Sequence, residues 1–311
     1  MRANRLGTSG VRVTAMGLGT AQLGDLYETM NQERATAIVD AAWDAGIRYF
    51  DTAPHYGVGL AEKRLGVALS GRARDEYVLG SKVGRLLVPG KDGDLVREWD
   101  FSADGVRRSV EESLTRLGLD RLDFALLHDP QERLGVALQH GLPALVKLRD
   151  EGIVGAIGVG TGDVDALTAF ADRGELDALM IAGRYTLLEH PVVAEVIPAA
   201  RAAGISVINV GVFNSGLLAQ VQPTVDAHYE YGAAPSEVLA RAQRLAELAL
   251  AAGTTLPRAA LAYAALDPLV ASVVVGADSP EQIAANVRMA SDSHPLDDLW
   301  ARLSALGLLT D

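Results

Sequence analysis

Residues 33–51, ERATAIVDAAWDAGIRYFD, contain the pattern that decides the fold. Apolar side chains recur at helical spacing over 33–45, Gly46 follows, and the short apolar run 47–51 then ends at an acid, Asp51. A glycine directly after a helix is typical of a C-terminal cap, because glycine adopts the left-handed conformation without strain. The stretch therefore predicts a helix, a tight turn and a buried strand in immediate succession.

The same unit recurs along the chain. Further helices are predicted at 103–117 and 163–173, and Gly152 and Gly204 repeat the role of Gly46. Strands are predicted at 14–19, 47–51, 77–82, 122–128, 153–159, 177–182, 205–210 and 270–275. Continuous apolar runs of this kind are typical of parallel strands that are covered on both faces. Strand–helix units in regular alternation predict an α/β fold, a (β/α)₈ TIM barrel, and we expect residues 1–311 to form a single domain.

Three segments fall outside this repeat. The opening stretch RLGTSGVRV, residues 5–13, has turn glycines between strand-like runs and predicts an N-terminal hairpin that closes the barrel floor. A loop at 83–101 follows the third strand, and a segment at 211–234 with an extra helix near 235–252 follows the seventh. Insertions after strands lie at the C-terminal face, where barrel enzymes hold their active sites.

A doubly wound dinucleotide-binding sheet is the competing α/β architecture. Its G-x-G-x-x-G fingerprint should follow the first strand and open a helix. The stretch GLGTAQLG at 17–24 has a different spacing, and GVGTGD at 158–163 also departs from the fingerprint. The motifs therefore favour the barrel.

The composition narrows the classes of function. The 40 acidic and 28 basic residues give a net charge of −12, which repels phosphodiester backbones and argues against nucleic-acid binding. The chain has no cysteine, and its six histidines show no H-x-H, H-x-x-x-H or H-E-x-x-H spacing, so we expect no metal site. We see no signal peptide and no membrane-spanning run, and we expect a cytoplasmic protein that acts on a small molecule.

Four ionisable side chains fall at or just after consecutive strand ends: Asp51, Tyr56, Lys82 and His128. Each alone has an ordinary structural explanation, such as a turn, rim packing, a lysine that reaches solvent or a loop histidine. In a barrel, however, neighbouring strands end on one rim, which makes the four a candidate active site. A lysine ammonium favours the phenolate of a nearby tyrosine and lowers its pKa, and a buried lysine needs a carboxylate partner. The set predicts proton transfer between a carbonyl and an alcohol.

These residues carry a resemblance to a known family. DTAPHYG at 51–57, SK at 81–82 and LLHDP at 126–130 resemble the catalytic signature of the aldo-keto reductases. The similarity runs from GLGTAQLG at 17–24 to VVVGADSPEQIAANV at 273–287. Within the family the chain is most similar to the bacterial branch of L-fucose, D-threo-aldose and galactose dehydrogenases. WDFSADGVRRSVEESLTRLGLDRLDFALLHDP, GRYTLL and FNSGLL carry that closer likeness.

The resemblance implies an NAD- or NADP-dependent oxidoreductase that transfers hydride between the cofactor and an aldose or aldehyde. Tyr56 would be the general acid in reduction and the general base in oxidation. Lys82 and Asp51 would tune the tyrosine, and His128 would orient the substrate oxygen. The implied cofactor site consists of Gly19, Thr20, Asp51, Tyr185, Val212, Phe213, Asn214, Ser215, Gly216, Leu218, Gly276, Ala277, Asp278, Gln282 and Asn286, with 214–216 at the pyrophosphate and 276–286 at the adenosine.

The region after the last strand predicts a phosphate site independently of the family. Ser279, Pro280 and Gln282 read as an N-cap, a proline at the first helical position and a capping-box glutamine. A helix that starts after the last strand of a barrel is a natural phosphate site, although Ser279 is equally explained as a cap alone.

The charge of this region favours NAD over NADP. Residues 276–287 contain Asp278 and Glu281 but no base, unless a base from elsewhere in the chain reaches in. A carboxylate repels a 2′-phosphate, whereas it accepts a hydrogen bond from a ribose hydroxyl.

Four positions depart from the family pattern around the nicotinamide. Many aldo-keto reductases hold the nicotinamide amide with a Ser-Asn pair after the fifth strand and a glutamine on the sixth, where this chain has Gly160, Thr161 and Ala182. Val210 stands where an aromatic ring often stacks on the nicotinamide. The proton-transfer residues are unaffected.

We expect the substrate to contact side chains around the barrel mouth, drawn from Tyr27, His55, Trp99, Phe101, His128, Asp129, Phe213, Tyr229 and Tyr231, although loop packing explains most of them equally well. Trp99 would cover the C–H face of a sugar, and Asp129 would bind hydroxyl groups. The first expectation is oxidation of an aldose at its anomeric carbon to a lactone, and pyridoxal-type aldehydes or small ketones are the alternative. A Schiff-base aldolase that uses Lys82 and a non-catalytic binding barrel are hypotheses from other classes.

Overall fold

Parallel strands form a closed barrel at the centre of the molecule. The structure, a computed structural model, describes residues 1–26, 28–230 and 232–309. Its strands are β1 (Ala3–Arg5), β2 (Arg12–Thr14), β3 (Met16–Gly19), β4 (Tyr49–Asp51), β5 (Val78–Val83), β6 (Arg85–Pro89), β7 (Leu95–Trp99), β8 (Leu122–His128), β9 (Val154–Thr161), β10 (Ala178–Ala182), β11 (Ser206–Val210), β12 (His228–Tyr229), β13 (Gly232–Ala233) and β14 (Val270–Gly276). Within the described residues, eight of these strands close in the order β3-β4-β5-β8-β9-β10-β11-β14. The predicted (β/α)₈ barrel is confirmed.

Helices connect the barrel strands. They are α1 (Gln32–Asp44), α2 (Leu60–Leu69), α3 (Ala103–Leu117), α4 (Leu134–Val136), α5 (Leu142–Asp150), α6 (Val164–Ala171), α7 (Val196–Ala203), α8 (Ser236–Ala251), α9 (Leu256–Ala264), α10 (Pro280–Ser291) and α11 (Asp297–Ala305). The predicted helices at 33–45, 103–117 and 163–173 correspond to α1, α3 and α6. None of the described helices is both long and apolar enough to cross a membrane.

The barrel strands are buried on both faces, which explains why continuous apolar runs located them. All eight predicted strands agree with the observed ones to within two residues at each end. In β8 every residue from Phe124 to His128 is buried, so no polar alternation marks the strand.

Glycine ends the helices that lead directly into strands. Gly46, Gly152 and Gly204 have φ angles of +86°, +75° and +70°. The amide of Gly46 donates to the carbonyl oxygen of Trp43 at 2.9 Å, which closes the end of α1. The predicted caps are therefore confirmed, and the sharp turns let each strand start at once.

The N-terminal hairpin closes the floor of the barrel. β1 and β2 pair antiparallel, and Leu6 and Val13 have no exposed surface because they pack into the apolar barrel interior. Asn4 Nδ2 donates to the carbonyl oxygen of Ala271, at the start of β14, at 2.7 Å. Full burial of a leucine or valine side chain contributes about 1.5–3 kcal/mol, so the hairpin is an integral part of the core.

The insertions at the C-terminal face contain more regular structure than the sequence predicts. Segment 83–101, predicted as a loop, contains the antiparallel pair β6–β7, which aligns Arg85 with Trp99. The prediction missed it because all five residues of β7 are exposed and form no apolar run. Segment 211–234 contains the short pair β12–β13, and α8 confirms the extra helix expected near 235–252.

Candidate active site

Asp51 and Lys82 form a buried ion pair at the rim of the barrel. Asp51 ends β4 and Lys82 lies near the end of the adjacent strand β5, so strand pairing brings the two side chains together. Lys82 Nζ lies 2.5 Å from Asp51 Oδ2 and donates to the carbonyl oxygen of Thr52 at 3.0 Å. The side chains of Lys82 and Asp51 are only 3% and 4% exposed. The buried Tyr49 hydroxyl lies beside the pair and interacts with the Asp51 carboxylate.

Burial and mutual attraction act in opposite directions on this pair. Burial raises the pKa of Asp51, and the ammonium of Lys82 opposes that effect. Burial lowers the pKa of Lys82, but its interactions with Asp51 and Tyr56 outweigh this, and the pKa lies above its ordinary value. Lys82 is therefore an ammonium at neutral pH. A Schiff base requires a neutral amine, so the geometry disfavours the aldolase hypothesis.

Tyr56 lies close to both the ammonium and His128. Lys82 Nζ is 4.8 Å from the centre of the Tyr56 ring, and the centres of the Tyr56 and His128 rings are 6.2 Å apart. Burial, together with the positive charges of Arg85 and Lys82, holds the pKa of His128 well below its ordinary value, so the imidazole is neutral at neutral pH. The four residues predicted to be catalytic thus meet at one rim. Across the described residues, no group of three or more His, Cys, Asp or Glu side chains is placed to hold a metal ion.

A second ion pair lies beside these four residues, between Asp129 and an arginine that the sequence analysis does not single out. Arg85, the first residue of β6, donates to Asp129 Oδ2, and its Nη1 lies 3.1 Å from His55 Nδ1. Its guanidinium carbon lies 5.0 Å from the centre of the Trp99 ring. Asp129 Oδ2 in turn lies 3.7 Å from His128 Nε2. Three of the predicted substrate contacts, His55, Trp99 and Asp129, are therefore gathered around one guanidinium.

The other predicted substrate contacts lie in different surroundings. Phe101 is 1% exposed and is part of the hydrophobic core. Phe213 is partly buried and packs against that core. The Tyr229 hydroxyl donates to Glu189 Oε1 at 2.7 Å. Two predicted contacts lie outside the described residues, namely Tyr27 and Tyr231.

The segment after the last strand forms the capped helix start that the sequence predicts. Ser279 is the N-cap of α10, and its Oγ accepts a hydrogen bond from the amide of Gln282 at 3.4 Å. Gln282 Oε1 accepts from the amide of Asp278 at 2.8 Å, one residue earlier than in a capping box. The neighbouring predicted cofactor residues are Gly276 and Ala277 at the end of β14 and Asn286, which is buried on α10.

Helix α1 brings a base to this segment. Arg34 Nε donates to the carbonyl oxygen of Asp278 at 2.9 Å, and its Nη1 lies 3.3 Å from Glu28 Oε2. Burial raises the pKa of Asp278, and the charge of Arg34 opposes the effect. Residues 276–287 contain no base of their own, but the guanidinium of Arg34 contacts them.

The loop after β11 is held in a strained conformation. Asn214 and Ser215 have φ angles of +46° and +59°, and Gly216 follows with +94°. A non-glycine residue in the left-handed region costs about 1–3 kcal/mol and persists where its surroundings impose it. Asn214 Nδ2 donates to Glu189 Oε2 at 3.2 Å, and its buried Oδ1 lacks a partner among the described residues. The side chains of the predicted residues Val212 and Leu218 are buried.

The first barrel strand contributes two further predicted cofactor residues. Gly19 ends β3, and Thr20 Oγ1 donates to the carbonyl oxygen of Asp51 at 3.0 Å, which ties this strand end to the ion pair. Tyr185 lies elsewhere, because its ring packs 5.4 Å from that of Tyr263 on α9, in the helical layer.

A glutamine from the loop after β8 reaches the end of β9. Thr161 Oγ1 donates to Gln131 Oε1 at 3.0 Å. Thr161 and Ala182 end the paired strands β9 and β10, so Gln131 extends over one of the positions where the chain departs from the family pattern. Sequence reasoning did not identify Gln131, because it lies outside the strand ends.

Known proteins are similar to this chain in both sequence and fold. The Aldo/keto reductase family model matches residues 15–304. D-threo-aldose 1-dehydrogenase from a Pseudomonas species is 45% identical, over 97% of this chain and 96% of that protein. Pyridoxal 4-dehydrogenase from Microbacterium luteolum is 35% identical, over 98% of this chain and 97% of that protein. The solved holo form of an aldo-keto reductase from Bacillus halodurans aligns with a TM-score of 0.84 at 27% identity, over 98% of this chain and 96% of that one. The chain therefore belongs to the aldo-keto reductase family of oxidoreductases, which use nicotinamide cofactors.

Proposed function

We propose that this enzyme oxidises an aldose, L-fucose or a related sugar, at its anomeric carbon to the lactone. The main support is the position of the Lys82 ammonium, which lies 2.5 Å from Asp51 Oδ2 and 4.8 Å from the centre of the Tyr56 ring. Such a charge stabilises a phenolate, the form of tyrosine that accepts a proton from an alcohol. Further support is the 45% identity to a protein named D-threo-aldose 1-dehydrogenase.

Each residue of the rim has one part in this mechanism. Tyr56, as phenolate, takes the proton of the anomeric hydroxyl. Lys82 stabilises the phenolate, and Asp51 offsets the cost of burying the ammonium. His128, which is neutral because burial lowers its pKa, hydrogen-bonds to the substrate oxygen without competing for the proton. A nicotinamide cofactor, held by loop 214–216 and residues 276–286, would supply the hydride acceptor that oxidation of this carbon to the lactone requires.

The chain has the features that a dinucleotide requires. The strained loop 214–216 is the candidate segment for the pyrophosphate, because left-handed non-glycine residues of this kind cluster at ligand sites. The start of α10 is the N-terminus of a helix, where the helix dipole favours anions. Residues 276–286 would hold the adenosine. Gln131 and Thr161 are candidates to hold the nicotinamide amide, because together they offer donors and acceptors at the end of β9.

NAD is the cofactor that the charges favour. The Asp278 carboxylate would repel a 2′-phosphate and would accept a hydrogen bond from a ribose hydroxyl. Arg34 is the base that reaches this segment, but Glu28 and the carbonyl oxygen of Asp278 already engage its guanidinium. NADP use would require the guanidinium to be released.

Oxidation or reduction of a pyridoxal-type aldehyde is the second candidate. It is favoured by the 35% identity to a protein named pyridoxal 4-dehydrogenase, which covers 98% of this chain. An aromatic aldehyde would use the same proton transfer at Tyr56 and would stack on Trp99, a residue that is 38% exposed.

A screen of aldoses, pyridoxal and small aldehydes with NAD and NADP, in both directions, tests the proposal. We expect reduced nicotinamide absorbance to grow with an aldose and NAD, and a lactone to be detectable as product. Faster turnover of pyridoxal than of every aldose would support the second candidate. Absence of nicotinamide-linked turnover with the whole set would contradict both.

A further inference from the structure

A guanidinium, a carboxylate and an indole ring come together beside the proposed catalytic residues, although the sequence separates them widely. Arg85 and Trp99 are aligned partners at the open end of the β6–β7 pair. Asp129 follows directly after His128 at the end of β8. The side chain of Arg85 is 10% exposed and that of Asp129 is 30% exposed, so the acid is the more accessible partner.

The Arg85–Asp129 ion pair lies next to His128. Asp129 Oδ2 is 3.7 Å from His128 Nε2, the group proposed to hold the reacting oxygen. The rings of His55 and His128 are centred 5.7 Å apart, and Arg85 Nη1 lies 3.1 Å from His55 Nδ1. A substrate oxygen at His128 would therefore place the neighbouring carbon next to the Arg85–Asp129 pair.

The pair offers the chemistry that hydroxyl groups require. A carboxylate has lone pairs for several hydroxyl donors, and a guanidinium has N–H donors for hydroxyl oxygens. The Trp99 ring, 5.0 Å from the guanidinium carbon, adds an apolar surface for C–H groups.

The local backbone is strained in a way that stability does not explain. Asp129 has a φ of +44°, in the left-handed region that favours glycine. Desolvation of an ion pair often costs as much as the attraction returns. A strained residue that carries a half-buried charge next to an active site points to a functional role.

On the basis of the proposed aldose oxidation, we infer that Arg85 and Asp129 bind the hydroxyl group on the carbon next to the reacting carbon, while Trp99 covers the C–H face. The site thereby selects polyhydroxylated substrates with a hydroxyl at C2. A site built to bind a hydroxyl group discriminates strongly against an analogue that lacks it, because its buried polar groups are then left unpaired.

The test compares L-fucose with 2-deoxy-L-fucose in the wild type and in the variants Asp129→Asn, Arg85→Lys and Arg85→Met. In the wild type, we expect kcat/KM to favour L-fucose by about 100-fold or more. In Asp129→Asn and Arg85→Met, this preference should fall by about 10- to 100-fold, mostly through KM. Arg85→Lys keeps the charge but loses the planar fork, and we expect an intermediate loss. Thermal unfolding of each variant establishes that it is folded.

Asp267→Asn is the matched control, because it removes an acid paired with Arg201 at 2.8 Å, before β14 and away from the mouth. This control should keep the wild-type preference. Equal losses of kcat/KM on both sugars in the Asp129 and Arg85 variants would mean that the pair only anchors the β6–β7 hairpin. That result would overturn the inference and leave the proposed function standing. A wild type that reduces propanal but oxidises neither sugar would overturn the inference together with the proposed function.

Discussion

At the scale of single residues, the Asp51–Lys82 pair is costly for stability. Two charges are buried at a distance of 2.5 Å, and their side chains are only 3% and 4% exposed. A buried pair of this kind is often no more stable than a well-packed apolar pair of the same size. Its value lies in the ammonium that it holds beside Tyr56, so removal of one partner should damage stability and chemistry separately.

Lys82→Met should lower the free energy of unfolding by about 3–5 kcal/mol, because it leaves the Asp51 carboxylate buried without a partner. The double variant Asp51→Asn/Lys82→Met should recover much of that stability but should remain inactive. Urea denaturation and steady-state kinetics measure the two effects. Lys147→Met, at a lysine whose side chain is 73% exposed, is the control and should change stability by less than about 0.5 kcal/mol. Wild-type stability in Lys82→Met would contradict the burial of the pair.

At the scale of elements, α1 and the start of α10 meet where we propose that the adenosine of the cofactor binds. Arg34 of α1 donates to the carbonyl oxygen of Asp278, immediately before the N-cap Ser279. Asp278 and Arg34, from two different elements, would thus together determine the charge around a bound cofactor. Sequence alone placed only the acid there, because Arg34 is distant along the chain.

Asp278→Ala should raise the ratio of kcat/KM for NADP to that for NAD by about tenfold or more, equivalent to about 1.4 kcal/mol. The carboxylate that repels a 2′-phosphate is then gone and Arg34 remains. Asp278→Ala/Arg34→Ala should lose most of this gain, which identifies Arg34 as the responsible base. An unchanged ratio in Asp278→Ala would contradict the charge-based preference for NAD.

At the scale of the whole molecule, the barrel is predictable from sequence because its strands are mostly apolar and show no regular polar alternation. The rim residues Asp51, Lys82 and His128 are predictable for the same reason, since each interrupts or ends an apolar run. The glycine caps add the turns that fix where each strand starts. Periodicity and turn chemistry therefore suffice for the fold and for the candidate rim residues Asp51, Lys82 and His128.

The residues around the barrel mouth are less predictable because they depend on pairing across insertions. Arg85 and Trp99 are partners only because β6 and β7 form a hairpin, and every residue of β7 is exposed, so it lacks the apolar pattern of a buried strand. Gln131 reaches Thr161 from a neighbouring loop, which no local pattern encodes. Phe101 differs in the other direction. The sequence predicts a substrate contact in a loop, whereas the side chain is buried in the core and is 1% exposed.

Histidines that are neutral in the folded protein make its stability depend on pH. Burial and the positive charges of Arg85, Arg97 and Lys82 lower the pKa of His55 to about 4. The unfolded chain binds a proton at this histidine near pH 6.5, so stability present above that pH is lost as the pH falls towards about 4. Urea denaturation at pH 7 and pH 5 should show a smaller loss in His55→Gln than in the wild type. An equal loss would contradict the low pKa.

The most direct test of the account is the turnover of Tyr56→Phe with L-fucose and NAD, followed by reduced nicotinamide absorbance. We expect turnover to fall by about 100- to 10,000-fold, the contribution of a general base, while NAD binding followed by fluorescence is retained. Tyr263→Phe is the control, because that ring packs among helices at 5% exposure, and it should retain activity. Near-wild-type turnover in Tyr56→Phe would contradict the assignment of Tyr56 as the proton-transfer residue.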